Sequence, residues 1–313
     1  MRGRFRESLP TIFFAESQPP HPDPLPASAG RGSTTSGLTS HAMTWSSPRV
    51  IPPMSTTPVI SFEHVSKVYD GVRTLDDVTL DVDEREFLAI VGVSGAGKST
   101  LLRLINRLTD PSDGVVRVEG EDVRTLDPIS LRRRVGYVFQ NIGLFPHMTV
   151  AENIAITPRL VGWNAAEREA RVDELIDLVR LDRARQRDRF PHQLSGGERQ
   201  RVGVARALAA RPRIVLMDEP FGALDPITRD ALGRDVRGLH DQLGLTTVMI
   251  THDALEAVLL ADRIVVMRGG KTIADGTPRA LLAGDADPYV RELMQTPRRQ
   301  AERLHALIAG ERA

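Results

Sequence analysis

Phe87-Leu88-Ala89-Ile90-Val91 followed by Gly92-Val93-Ser94-Gly95-Ala96-Gly97-Lys98-Ser99-Thr100 decides how the rest of the chain is read. The second part fits G-x-x-x-x-G-K-[ST], a phosphate-binding loop. The apolar run before it reads as a buried strand, and Leu101 to Leu108 after it reads as a helix. The loop therefore sits between a strand and a helix N-terminus, where its chemistry needs it. Glycines tolerate positive φ and let the backbone wrap a polyphosphate. The loop's backbone N–H groups then point at the anion, and the helix dipole adds to the attraction; Gly92, Val93, Ser94, Gly95, Ala96, Gly97 and Thr100 belong to the expected binding set. Lys98 supplies a point charge for the β- and γ-phosphates, and the Ser99 hydroxyl is the expected Mg²⁺ ligand.

The surrounding composition sets bounds. The 313 residues suffice for one large or two small domains. With 41 basic and 41 acidic residues, no global charge favours nucleic acid or an anionic membrane surface. There is no cysteine, which excludes disulfides and thiol chemistry and fits a reducing compartment. No apolar run approaches the ~18–20 residues of a membrane span, so any spanning falls to another chain.

Residues 1–57 differ from the rest. Prolines cluster at Pro19, Pro20, Pro22, Pro24 and Pro26, Ser28 to Gly37 is rich in Gly, Ser and Thr, and apolar periodicity is absent. This is the composition of a disordered segment. Arg2, Arg4 and Arg6 resemble the start of a signal peptide, but Pro10 and Glu16 interrupt the apolar patch that should follow. The expectation is a start at Met54 or Met43, with an over-extended reading frame upstream. From Val59 the patterning begins, with strands expected at Val59–Val68, Leu75–Val82, Val115–Val118 and Val135–Gln140. Asp110 to Gly114 reads as a turn, and Ser130 to Arg134 as a short helix. Residues of about 141–210 carry helical periodicity at Thr149–Ile156, Ala165–Val179 and Gly197–Ala210, so they form a helical insert. Strands are expected again at Arg213–Asp218 and Leu245–Ile250, with a helix over Asp225–Leu243 between them. Arg268-Gly269-Gly270 reads as the turn of a hairpin. Thr277-Pro278 reads as a helix start, and the tail from Asp287 as an amphipathic helix. Strands alternating with helices predict a mainly parallel sheet covered on both faces.

Two further motifs carry chemistry. Asp218, at the end of the apolar run Ile214–Met217, is placed to hold Mg²⁺ beside a phosphate loop. Glu219 follows and can orient or deprotonate an attacking water. Leu194-Ser195-Gly196-Gly197-Glu198-Arg199-Gln200 opens a helix whose exposed N–H groups make a second anion site, or a plain capping loop.

These three motifs, in this order, resemble the nucleotide-binding subunits of ABC transporters over about residues 58–285. The resemblance implies an α/β fold: a P-loop NTPase core of mainly parallel sheet, an antiparallel β subdomain, the helical insert at about 141–210, and a helical tail at 286–313. It implies ATP and Mg²⁺ as the bound groups, the latter at Ser99, Gln140 and Asp218. Tyr69 matches the aromatic residue that stacks on adenine, though alone it reads as a strand residue. Gln140 matches the glutamine that senses Mg²⁺ and the attacking water, and His252 the switch histidine at the γ-phosphate. With Glu219 these form the catalytic set. Gly222 to Asp225 matches the D-loop, with Asp225 at a dimer interface. In this family two chains pack head to tail, and Ser195, Gly196 and Gly197 of one close on the γ-phosphate held by the other. Glu198 stands where that signature often has Gln, and reads as a tolerated variant.

The insert narrows the resemblance. Leu104 to Leu108, Ile142 to Thr149, Pro158 to Trp163 and Asp225 to Asp230 look like the importers of osmoprotectants such as glycine betaine, choline, carnitine and proline. That likeness implies a transmembrane permease subunit contacting residues 141–150 (Phe145 reads equally as a core residue) and, indirectly, an extracytoplasmic solute-binding protein. It implies a peripheral place on the cytoplasmic face of the membrane and no nucleic acid. Many such ATPases carry paired CBS domains, but about 30 residues after 285 are too few for another domain, so none is expected. An importer of amino acids or other small solutes, a soluble ABC ATPase, and a non-catalytic nucleotide switch are the competing readings. No long heptad run supports the second, and the presence of Glu219 and His252 opposes the third.

Overall fold

A computed structural model of the chain describes residues 58–283 and 287–308. The expected disordered extension and alternative starts at 1–57 lie outside the described residues. The chain runs β1 (Ile60–Tyr69), β2 (Val72–Val82), β3 (Phe87–Val91), α1 (Lys98–Ile105), β4 (Asp113–Val118), β5 (Glu121–Asp122), α2 (Pro128–Arg134) and β6 (Val135–Val138). Helices α3 (Val150–Leu160), α4 (Ala165–Leu178), α5 (Arg183–Gln186) and α6 (Gly196–Leu208) follow. Then come β7 (Ile214–Asp218), α7 (Pro226–Leu243), β8 (Thr246–Thr251), α8 (Ala254–Leu260), β9 (Arg263–Arg268), β10 (Lys271–Gly276), α9 (Pro278–Ala283) and α10 (Pro288–Ile308).

The strands form two sheets. The smaller is antiparallel in the order β2-β1-β4-β5. The larger has the order β10-β9-β3-β8-β7-β6 and is parallel except for the β9–β10 hairpin. Strand alternation sorts its side chains onto two cores. Leu88, Ile90, Leu216, Val248, Ile250 and Val265 face the antiparallel sheet and α1. Phe87, Ala89, Val91, Val215, Met217, Met249 and Val266 face the helices α3, α4, α6, α7, α8 and α10. On α1 alone, Leu101, Leu102, Leu104 and Ile105 are fully buried, each contributing about 1.5–3 kcal/mol.

Helix starts are written into the chain as reciprocal caps. Thr149 with Glu152, Asn164 with Glu167, and Ser195 with Glu198 begin α3, α4 and α6. The segment 141–149 has no helix or strand of its own, and two buried side chains hold it. Asn153, 0% exposed, accepts from Phe145 N at 2.8 Å and donates to the carbonyls of Phe145, Met148 and Thr149 at 3.2, 3.0 and 2.9 Å. Arg206 on α6 donates to the carbonyls of Ile142 and Gly143 at 2.6 and 2.7 Å. Burial pushes its guanidinium below its ordinary pKa.

Among the departures from expectation, three bear on the site. The helix after the phosphate loop begins on Lys98 itself and stops at Ile105, because Asn106 caps it and Arg107 turns left-handed at φ 45°. β6 ends at Val138, where its last pair with Met217 closes, so Gln140 stands beyond the strand. α8 was not anticipated, although Asp253 followed by Glu256 is an N-cap signature.

Candidate functional site

The C-terminal ends of β3, β7 and β8 bring the sequence motifs together. Between β3 and α1 the phosphate loop turns tightly. Gly97 has φ 98°, and a Cβ there would lie 2.7 Å from Thr74 O, so no larger residue fits. Lys98 curls back over the loop, its Nζ donating to Gly92 O at 2.6 Å and Val93 O at 2.9 Å. Burial pushes its pKa down, while the carboxylates of Glu219 and Asp218 pull it up. The loop is also held from outside: Val93 N donates to Tyr289 Oη of α10 at 3.2 Å, and Arg268 lies 5.0 Å over that ring.

Asp218 closes β7 beside the loop and accepts from Ser99 Oγ at 3.1 Å. Burial raises its pKa, and the Ser99 hydrogen bond opposes the rise. Two hard oxygen donors side by side, next to a phosphate cradle, fit Mg²⁺, which is held by one or two protein oxygens together with phosphates and water. Glu219 leaves the strand in the left-handed region at φ 45°, pinned by its N–H to Ile250 O at 3.0 Å. That conformation is uncommon and costly for a non-glycine residue. Glu219 Oε2 receives Gln140 Nε2 at 3.0 Å and lies 3.3 Å from His252 Nδ1. The three residues proposed from sequence as the catalytic set thus meet at one carboxylate oxygen. His252 is 60% exposed, open on its far side.

Other candidates stand elsewhere. Tyr69 ends β1, 38% exposed, its hydroxyl donating to Thr109 at 3.3 Å under Lys67 Nζ. Ser195 caps α6, accepting from Glu198 N at 3.3 Å, while Glu198 accepts from Ser195 N at 2.7 Å. Those bonds hold the Glu198 carboxyl below its usual range, and Gln186 also donates to it. Glu198, read from sequence as a tolerated variant, therefore completes the Ser-x-x-Glu capping box. A Cβ on Gly196 would meet Leu224 and one on Gly197 would meet Thr228. Asp225 caps α7, accepting from Ile227 N and Thr228 N at 3.1 Å each.

The family model described as "ABC transporter" matches residues 75–222. The glycine betaine uptake system ATP-binding protein YehX of Escherichia coli is 48% identical over 234 residues, covering 75% of this chain and 76% of that one. The glycine betaine/carnitine/choline transport ATP-binding protein OpuCA of Bacillus subtilis is 47% identical over 237 residues, covering 75% of this chain and 62% of that one. The chain thus spans less than two thirds of the second relative. Among solved structures, the dimeric ABC transporter cassette MJ0796 superposes with a TM-score of 0.64 at 34% identity, over 70% of this chain and 98% of that one. The same cassette is solved as a dimer in a post-hydrolysis state bound to ADP and Pi. Motif order, two-sheet architecture and these likenesses agree: the chain belongs to the ABC transporter family, as one of its ATP-binding, ATP-hydrolysing subunits.

Proposed function

We propose that this subunit drives an importer of quaternary-amine osmoprotectants such as glycine betaine or choline. The names of its relatives, together with the resemblance of its insert, support that solute class. Its partners are then a transmembrane permease subunit, bound through residues 141–150 at the cytoplasmic face of the membrane, and indirectly an extracytoplasmic solute-binding protein. Among the described residues no helix is long and apolar enough to cross a membrane. An ATPase domain at 58–285, with its helical subdomain at about 141–210 and a tail at 286–313, belongs to the same reading.

The observation that carries the enzymatic part is the meeting of Gln140 and His252 on Glu219 Oε2. ATP lies along the loop of Gly92, Val93, Ser94, Gly95, Ala96, Gly97, Lys98, Ser99 and Thr100, with its adenine on Tyr69. Ser99, Asp218 and Gln140 would hold Mg²⁺, which would supply charge neutralisation at the phosphates. Glu219 accepts a proton from the attacking water, Gln140 orients that water, and His252 contacts the γ-phosphate. Ser195, Gly196 and Gly197 of a second copy close the site, with Asp225 at the interface, so each two-fold-related contact is made twice. Because ATP and its products bind the closed dimer differently, turnover can drive opening.

Glu219→Gln tests this reading. It keeps the hydrogen bond from Gln140 and removes the base, so turnover should fall by about 10²–10⁴ while ATP still binds and gathers two chains into a dimer. Hydrolysis near the native rate would overturn the assignment. For the solute, uptake of radiolabelled glycine betaine by cells lacking the subunit should return with the native gene and not with the variant.

A further inference from the structure

Arg229, in the first turns of α7, reaches three groups: a carbonyl in the turn before α7 and two carboxylates at the start of α8. Its Nη2 donates to Leu224 O at 3.1 Å. Its Nη1 lies 3.5 Å from Asp253 Oδ2, and its Nε 3.7 Å from Glu256 Oε1. That Nε is buried without a hydrogen-bond partner, so the guanidinium holds both carboxylates loosely. Asp253 and Glu256 both follow His252, at the start of α8. Asp253 caps α8 through Leu255 N, and Glu256, 11% exposed, accepts from Thr251 Oγ1 at 2.6 Å. Thr251 Oγ1 in turn accepts from Asp253 N at 3.0 Å. The residues on both sides of His252 are therefore tied to the two carboxylates that Arg229 engages.

The other arm leads to the head of α6. A Cβ built on Gly197 would stand 2.5 Å from Thr228 Cγ2, and one on Gly196 3.8 Å from Leu224 Cδ2. Thr228 thus packs closely on Gly197 and Leu224 lies beside Gly196, and both are joined to Arg229, Leu224 by its carbonyl and Thr228 by chain continuity. In a close-packed interior such contacts pass on displacement rather than absorb it. A planar guanidinium spreads its donors over three nitrogens, and each of these faces a different partner here.

We propose that Arg229 is a positioning residue that links the Ser195–Gly197 head to His252 of the same chain. The proposal rests on the head-to-tail dimer, in which that head closes on the γ-phosphate of the second copy. Arg229 then makes turnover at one site depend on occupancy of the other. Its two loose carboxylate contacts tighten when Leu224 and Thr228 are pressed inward, and His252 is drawn against Glu219.

The test uses the full chain with Arg229→Met, Arg229→Lys and Glu256→Gln, and Glu219→Gln in parallel. Hydrolysis rate is followed against ATP concentration, with nucleotide affinity and melting temperature measured on the same samples. The native protein should show a Hill coefficient above one, limited by its two sites. Arg229→Met should bring it to one and lower kcat by about tenfold, a shift within the usual range of coupling energies, while nucleotide affinity stays within about twofold of the native. Arg229→Lys should recover part of kcat but not the sigmoid, since an ammonium serves fewer arms. Glu256→Gln keeps the shape, loses the charge, and should behave like Arg229→Met, which covers the case in which that variant folds poorly. A native Hill coefficient of one, or variants that melt lower yet keep the native Hill coefficient, would overturn the proposal. If Glu219→Gln forms no ATP-dependent dimer, the dimer reading fails and the link with it. If it dimerises and Arg229→Met stays cooperative, the link alone fails.

Discussion

Two histidines follow β-sheet residues or pack on them, and their surroundings give them opposite tasks. His252 faces solvent beside Glu219, whereas His240 is buried between Phe87, whose ring lies 5.1 Å away, and Thr247 Oγ1 at 3.0 Å. Burial first, and then the Arg237 charge, push the His240 pKa below 6.5. The unfolded chain takes up this proton near pH 6.5, but the folded chain resists it until lower pH, so stability should fall as pH drops through that value. Thermal melts from pH 7.5 to 5 should show the decline, and His240→Gln should flatten it. An unchanged slope in that variant would assign the decline to other groups. From sequence His240 could be classed only as structural or solvated, because nothing local separates a buried histidine from an exposed one. The motifs were legible because a phosphate-binding loop is written at fixed spacing, and the fold brings Gln140, Glu219 and His252 together as the motif order implied. Arg229 was not: its three partners lie at 224, 253 and 256, and only the folded chain brings them together.

At the scale of elements, strands were read closely because β3 and β7 are short apolar runs bounded by polar residues. Helix ends were harder, since a cap decides them and a cap is one or two residues long. The segment 141–149 carries the clearest consequence. Its path is set by Asn153 and Arg206 rather than by its own residues, so its shape could not be read from its sequence. Asn153→Leu is nearly isosteric and removes four hydrogen bonds. Losing buried pairings of this kind should cost about 1–3 kcal/mol, lowering the melting temperature by about 2–4 °C for each kcal/mol in a chain of this size. Amide exchange should accelerate at Phe145 and Met148, while nucleotide affinity is spared because the phosphate loop is not touched. Exchange unchanged at those two residues would show that Arg206 alone holds the segment.

At the scale of the molecule, one chain carries the phosphate-binding loop at the end of β3 and, in the proposed dimer, a second turn at the head of α6 that faces the nucleotide of the other copy. Ser195→Arg separates the two. A long cation at that turn should leave single-nucleotide affinity near native yet stop the Glu219→Gln chain from pairing when ATP is added, as read by light scattering. A dimer of undiminished size would show that the α6 head lies outside the interface. The substitution also forfeits the N-cap of α6, worth about 1 kcal/mol, so melting should drop only slightly.

β3 is made early and paired late. Its neighbours in the larger sheet are residues 247–251 of β8 and 263–266 of β9. At the usual 5–20 residues per second of protein synthesis, roughly 10–30 s pass between the making of β3 and of β8. Throughout that interval the growing chain holds Phe87–Val91, apolar on both faces, with neither edge filled. Such an edge recruits other strands. The cell must therefore shelter a half-made chain here, and production will be most vulnerable to aggregation before β8 and β9 emerge. Slower growth at low temperature lengthens the wait, so chaperone supply rather than cooling alone should govern soluble yield.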